Sequence, residues 1–188
     1  METTVSSRLS VLTRSMAGWG IVFADLDNHG WIDLVVARGD VLSATGSKGA
    51  LAREPLSWLR NIDGRQFVAG DAIAAPNQLY RGIAAADLDN DDCLDLVATA
   101  LQAAPQVIKR ACPPASHWLE VSVSFGARVQ VGSQWRHAAY TSGYASSCNC
   151  PLRFGVSAGT VNVKVTWPNG RQKLMSDVQV DRRMALEP

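Results

Sequence analysis

The chain has 188 residues, 47% of them hydrophobic, with 18 Lys and Arg against 17 Asp and Glu. That length supports one or two domains with cores of their own, and a net charge of +1 gives no electrostatic case for nucleic acid or an anionic membrane as partner. No apolar run approaches the ~20 residues of a membrane-spanning helix, so no span is expected.

Residues 1–16, METTVSSRLSVLTRSM, carry no apolar stretch of the kind a secretory signal needs. They read as a frayed tail or the remnant of an upstream repeat. A repeat then dominates the chain. GIVFADLDNHGWIDLVV (Gly20 to Val36) lies over GIAAADLDNDDCLDLVA (Gly82 to Ala98) without a gap, 62 residues on, the distance from Asp25 to Asp87. In each copy a short apolar run enters an acidic loop and an apolar, β-branched run leaves it, which fits strand, loop, strand. The loops hold eight of the 17 acidic residues: Asp25, Asp27, Asp33, Asp87, Asp89, Asp91, Asp92 and Asp95.

Their spacing carries the chemistry. Counting Asp25 as position 1, side-chain oxygens fall at positions 1, 3 and 9 (Asp25, Asp27, Asp33), with His29 at position 5. In the second loop Asp87, Asp89, Asp91 and Asp95 fill all four places. Alternate residues of a curled loop point inward, so the pattern surrounds a hard cation with oxygen; calcium takes six to eight such ligands in flexible geometry. An EF-hand would place a glutamate at position 12, where Val36 and Ala98 stand, and would need flanking helices. Asx residues also cap turns, but two loops with matched acids and matched strands favour a metal.

Further along, RACPPASH (Arg110 to His117) reads as a boundary, because paired prolines stop regular structure. Beyond it WLEVSVSF, RVQV, TVNVKVTW and VQV alternate as half-buried antiparallel strands do, and Asn169-Gly170 signals a hairpin. Six or seven short strands without a helix suggest a small sandwich or barrel. No hydrolase constellation is present: the three histidines His29, His117 and His137 accompany neither a G-x-S-x-G elbow nor an H-E-x-x-H pair. The chain is therefore expected not to be an enzyme. Cys93, Cys112, Cys148 and Cys150 lack zinc-ribbon spacing, and their redox state stays open. Arg38-Gly39-Asp40 spells an integrin-binding tripeptide, a weak motif without context. Trp58, Trp118, Trp135, Trp167, Tyr140 and Tyr144 offer rings that could stack on sugars, although strand aromatics more often pack.

These segments resemble a known family. GWGIVFADLDNHGWIDLVVARGD and RGIAAADLDNDDCLDLVATALQAAPQVIKR are similar to FG-GAP/VCBS repeats, the calcium-loop blades of integrin-type β-propellers. EPLSWLRNIDGRQFV looks like the hairpin between blades. HWLEVSVSFGARVQV, TSGYASS and LRFGVSAGTVNVKVTWPNGR resemble the ASPIC/UnbV domain that follows such repeats in bacterial proteins and in the cartilage acidic protein family. The resemblance implies an all-β chain: a tail over 1–16, two partial β-propeller blades over 17–110, a linker over 111–116 and a small β-domain over 117–188. It implies Ca2+ held by Asp25, Asp27 and Asp33 with His29 at the fifth position, and by Asp87, Asp89, Asp91 and Asp95. The carbonyls of Trp31 and Cys93 would supply the backbone ligands. It also implies an extracellular or cell-surface recognition role, with a protein or glycan as ligand. His29 departs from the family's carboxylate, and Asp92 from its glycine. Two loops are too few to close a propeller, which leaves strand edges open to self-association.

Overall fold

The computed structural model describes residues 4–41, 52–113, 116–139, 141–144, 146–147 and 150–188; Pro114, Tyr140 and Cys148 fall outside them. The fold is all-β apart from one short helix, α1 (Leu9–Thr13), and among the described residues no sheet closes on itself. Strands β1 (Gly18–Ala24), β2 (Asp33–Arg38), β3 (Ser57–Asn61) and β4 (Phe67–Ala69) form an antiparallel sheet in chain order. β5 (Tyr80–Ala86), β6 (Asp95–Ala100) and β7 (Gln106–Ile108) form a second.

The sequence repeat is a repeat of register. Each acidic loop starts from the closing pair of its hairpin, Ala24 opposite Asp33 and Ala86 opposite Asp95, and each hairpin has a bulge toward its far end. The third strands continue the likeness: Leu34 faces Leu59, and Leu96 faces Ile108. The connection between them differs in length, 25 residues from Leu34 to Leu59 against 12 from Leu96 to Ile108.

Alternation in β1 and β2 gives the first sheet two buried faces. Val22, Val35 and Ala37 join Ile83, Leu96 and Ala98 of the second sheet in one core. Leu34, Val36 and Leu59 face the other way, where Leu9, Leu12 and Met16 of the N-terminal segment pack on them. The segment read as a frayed tail thus covers a sheet face. Its apolar residues fall at positions 9, 12 and 16, a helical spacing too short to stand out against the polar composition around it.

The C-terminal unit is a sandwich. One layer is β10 (Gln134–His137), β9 (Arg128–Val131), β14 (Thr160–Thr166) and β15 (Gln172–Gln179); the other is β13 (Leu152–Val156), β8 (His117–Val123) and β16 (Arg182–Leu186). β16 runs parallel to β8, and a small hairpin, β11 (Thr141–Gly143) with β12 (Ser146–Ser147), lies against β1 and β5. Leu119, Val121, Val129, Val131, Phe154, Val163 and Val165 fill the space between the layers at 0 or 1% exposure, which makes this a dry core independent of the first. Among the described residues nine strands stand where six or seven were expected. The surplus lies in pieces of two to four residues and in β15, whose residues are mostly exposed and so give no alternating signal.

β1 and β5 approach backbone to backbone: a Cβ on Gly20 would sit 2.8 Å from the Ile83 nitrogen and 3.0 Å from the Gly82 Cα. Gly20→Ala should therefore push the two sheets apart, at a cost of about 1–3 kcal/mol, or a few degrees of melting temperature. Gly159→Ala, with nothing within 4 Å of the added carbon, should leave the melting curve within about 0.5 kcal/mol of the parent. Equal melting of the two variants would contradict the close approach.

Candidate metal centre

The two loops share an unusual backbone. Asn28 and Gly30 take φ of 53° and 96°; Asn90 and Asp92, at the matching positions, take 60° and 68°. Asp92 therefore holds the left-handed conformation that glycine holds in the first loop, which Asp tolerates better than most residues. The aspartates at position 9 act as clips. Asp33 accepts from the Asn61 nitrogen at 2.8 Å and the Leu26 nitrogen at 3.4 Å. Asp95 accepts from the Arg110 nitrogen at 3.0 Å and the Leu88 nitrogen at 3.3 Å. Both are fully buried and tie the end of the third strand to the start of the loop. Burial pushes the Asp33 carboxyl up to about 6, against the pull of its hydrogen bonds.

Positions 1, 3 and 5 converge in both loops. Asp25, Asp27 and His29 bring one ligand atom each within 4.8 Å of the others, and Asp87, Asp89 and Asp91 do the same. Asp33 and Asp95 are not members of these clusters. The side chain of Trp31 packs against Gly64, and Cys93 is bonded to Cys112, 19 residues on. The disulfide fastens the second loop to the segment that begins the expected linker.

The first loop is filled by its own cations. His29 places Nδ1 3.1 Å from Asp25 Oδ1 and 2.6 Å from Asp27 Oδ1, and Nε2 2.5 Å from the Asn61 carbonyl. Both ring nitrogens face acceptors, and only the doubly protonated ring can donate from both. Burial opposes that charge, but the hydrogen bonds to Asp25, Asp27 and the Asn61 carbonyl prevail and raise the His29 pKa to about 10. The Nδ1 proton aligns with Asp25, so Asp27 Oδ1 is buried without an aligned donor. Arg60 donates from Nε to Asp27 Oδ2 at 2.7 Å. Asp27 falls to about 2: burial works against the fall, and the close approach of His29 and Arg60 outweighs it. Asp25 Oδ2 is taken by the Gly30 nitrogen at 2.8 Å and by the Gly155 nitrogen of the C-terminal sandwich at 3.1 Å.

The second loop is more open. Asp89, Asp91 and Asp92 are exposed, whereas Asp25, Asp27 and Asn28 are buried. Lys109, the counterpart of Arg60 in the third strand, meets Asp89 Oδ2 at 2.7 Å and is 70% exposed, so it can leave. Arg183 of β16 pairs with Asp87 Oδ2. Asp87 Oδ1 is buried with no hydrogen-bond partner, and Asp89 and Asp91 lie beside it. An orphaned carboxylate oxygen amid further carboxylates, with one exposed lysine paired to Asp89, fits a hard cation. The first loop fits one poorly, since an imidazole and a guanidinium occupy the space and a soft nitrogen replaces an oxygen.

Arg60, Lys109, Arg153, Gly155 and Arg183 all contribute to these sites and were not singled out from sequence. WLRN and VIKR stand one residue type for another across the third strands, so the first two could have been found by extending the repeat with a shorter connection. Nothing local marks the last three. Other expectations resolve differently. Arg38 of the Arg-Gly-Asp stretch is ion-paired with Glu54 and donates to Ser57, so it is not presented to a partner. Trp58, Trp118 and Trp167 are core residues, which leaves Trp135 and Tyr144 exposed.

Residues 122–188 match the profile of the family described as ASPIC and UnbV, so the chain carries a C-terminal ASPIC/UnbV domain. No curated protein matches the chain.

The His29 arrangement has a pH signature in chelator. A histidine whose folded pKa lies near 10 rather than 6.5 contributes stability that is complete below pH 6.5 and lost as pH rises toward 10. Melting temperature should fall across that window in the parent and stay flatter in His29→Gln. A parent profile as flat as the variant's would show that the ring is neutral.

Proposed function

We propose that the protein is a non-enzymatic calcium-binding β-repeat protein, in which the first two sheets are FG-GAP/VCBS-like blades and calcium is structural. The observation that carries this reading is the second loop, where Asp87 Oδ1 is buried without a donor beside Asp89 and Asp91. Asp87, Asp89 and Asp91 would hold the ion, while Asp95 would stay on the Arg110 and Leu88 nitrogens. Bound there, calcium would supply the positive charge that removes the mutual repulsion of the aspartates. Lys109 would then give up Asp89, a surface pair worth little on its own.

The disulfide between Cys93 and Cys112 supports an oxidising compartment and so an extracellular or cell-surface location. Recognition of a protein or glycan would use the surface that the blades and the ASPIC/UnbV domain present. A second reading, a carbohydrate-binding accessory module, is favoured by the exposed Trp135, 51% accessible. Glycan binding that survives chelation and is lost in Trp135→Ala would select it.

Calorimetry should show calcium binding to the parent, and calcium should raise the melting temperature; a hundredfold excess over Kd adds about 2.7 kcal/mol. Asp89→Ala should remove more of that gain than Asp27→Ala, because Asp27 is already neutralised by His29 and Arg60. An absence of calcium heat, or a melting curve that chelator does not move, would reduce the aspartates to turn residues.

A further inference from the structure

A cavity of about 570 Å³ lies where β1 and β5 meet the C-terminal sandwich. Its size is that of a small-molecule site. One wall is apolar: Phe23, Ala84, Ala86 and Leu94 line it, and the two alanines project little into the space. Charged groups from both units line the rest.

Each acid in the lining already has a partner on at least one oxygen. Asp25 accepts three backbone N–H groups, from His29, Gly30 and Gly155. Asp87 is paired with Arg183, and Glu120 lies 3.3 Å from Arg183 Nε and 3.7 Å from Arg153 Nη1. The guanidiniums are not all matched in return. Arg136 donates only to neutral acceptors, the Trp135 carbonyl at 3.1 Å and Gln134 Oε1 at 2.9 Å, and among the described residues no carboxylate reaches ion-pair distance of it. Its charge is desolvated, and burial pushes its pKa down to about 10. Arg153 is 7% exposed, and its Nη1 has no hydrogen-bond partner. A buried guanidinium with spare donors is costly unless something anionic completes it.

We infer that this cavity binds a small organic anion, a carboxylate or sulfonate, with its charged head on Arg136 and Arg153 and its apolar body against the alanine wall of β5. A bare inorganic anion would leave that wall wet. Of the lining carboxylate oxygens, Asp87 Oδ1 is without a donor, and it lies beside Asp89 and Asp91 of its own loop. The site needs both units, since Ala84 and Ala86 come from the repeat region and both arginines from the ASPIC/UnbV side.

Anilinonaphthalene sulfonate, an apolar fluorescent anion, is a direct probe on the full chain. It should bind one site per chain, with octanoate displacing it and octanol at the same concentration failing to. Arg136→Gln should weaken binding at least about tenfold, the loss expected for one charge-assisted hydrogen bond. Arg136→Lys should recover part of it. Arg128→Gln, on an exposed residue of the neighbouring strand β9, should bind as the parent does. Ala84→Trp should block the site; if circular dichroism shows that variant unfolded, the arginine pair decides. No enhancement with the parent, equal affinity in Arg136→Gln, or displacement by octanol as good as by octanoate would each overturn the inference.

Discussion

Buried aspartate is the constraint on which the rest of the structure depends. Asp25, Asp33 and Asp95 are at most 1% exposed, and an ionised carboxylate out of water is costly unless its oxygens are all engaged. The chain engages them with backbone N–H groups, and those groups come from different elements. Asp33 draws in the last residue of β3 and Asp95 the chain just after β7; Asp25 draws in its own loop and Gly155 of β13. Strand order and loop shape follow from where the donors must be. The close fit at Gly155, where a Cβ would stand 2.2 Å from Asp25 Oδ2, shows how tightly the sandwich is seated on the first loop.

The two loops solve one electrostatic problem in two ways. Each gathers three potential ligands from positions 1, 3 and 5, and each has a cation one residue past the matching leucine or isoleucine of its third strand, Arg60 after Leu59 and Lys109 after Ile108. In the first loop a histidine stands where the second has Asp91, and that one exchange turns a carboxylate into a counter-charge. With Arg60 added and Gly155 closing the other side, the loop is internally balanced. The second loop has no such residue. Its counter-charges, Lys109 and Arg183, sit on partly exposed side chains that solvent can replace, so its balance is open to a metal.

Much of this was legible in the sequence because the repeat was. The 62-residue offset fixed both hairpins and both loop shapes, and Asp92 behaved as a residue in a glycine's place should. The alternation in TVNVKVTW marked β14, and the ASPIC/UnbV resemblance is matched by the family profile over residues 122–188. What stayed hidden has a common cause. Arg153, Gly155 and Arg183 lie more than 60 residues beyond the loops they touch, and no period or spacing links them. Leu9 and Leu12 lie on a helix of five residues and Met16 just beyond it, a segment too brief for a helical period to register. The role of His29 was half legible: its place in the loop was plain, but whether it ligates or neutralises depends on the Asn61 carbonyl behind it.

The difference between the loops can be seen directly by growing crystals in calcium and collecting anomalous diffraction data. A single calcium peak should appear among Asp87, Asp89 and Asp91, with the Lys109 side chain turned away from Asp89 and His29 still bridging Asp25 and Asp27. A peak between Asp25 and Asp27 with the His29 ring displaced, or no peak at the second loop at saturating calcium, would contradict the division of labour between them.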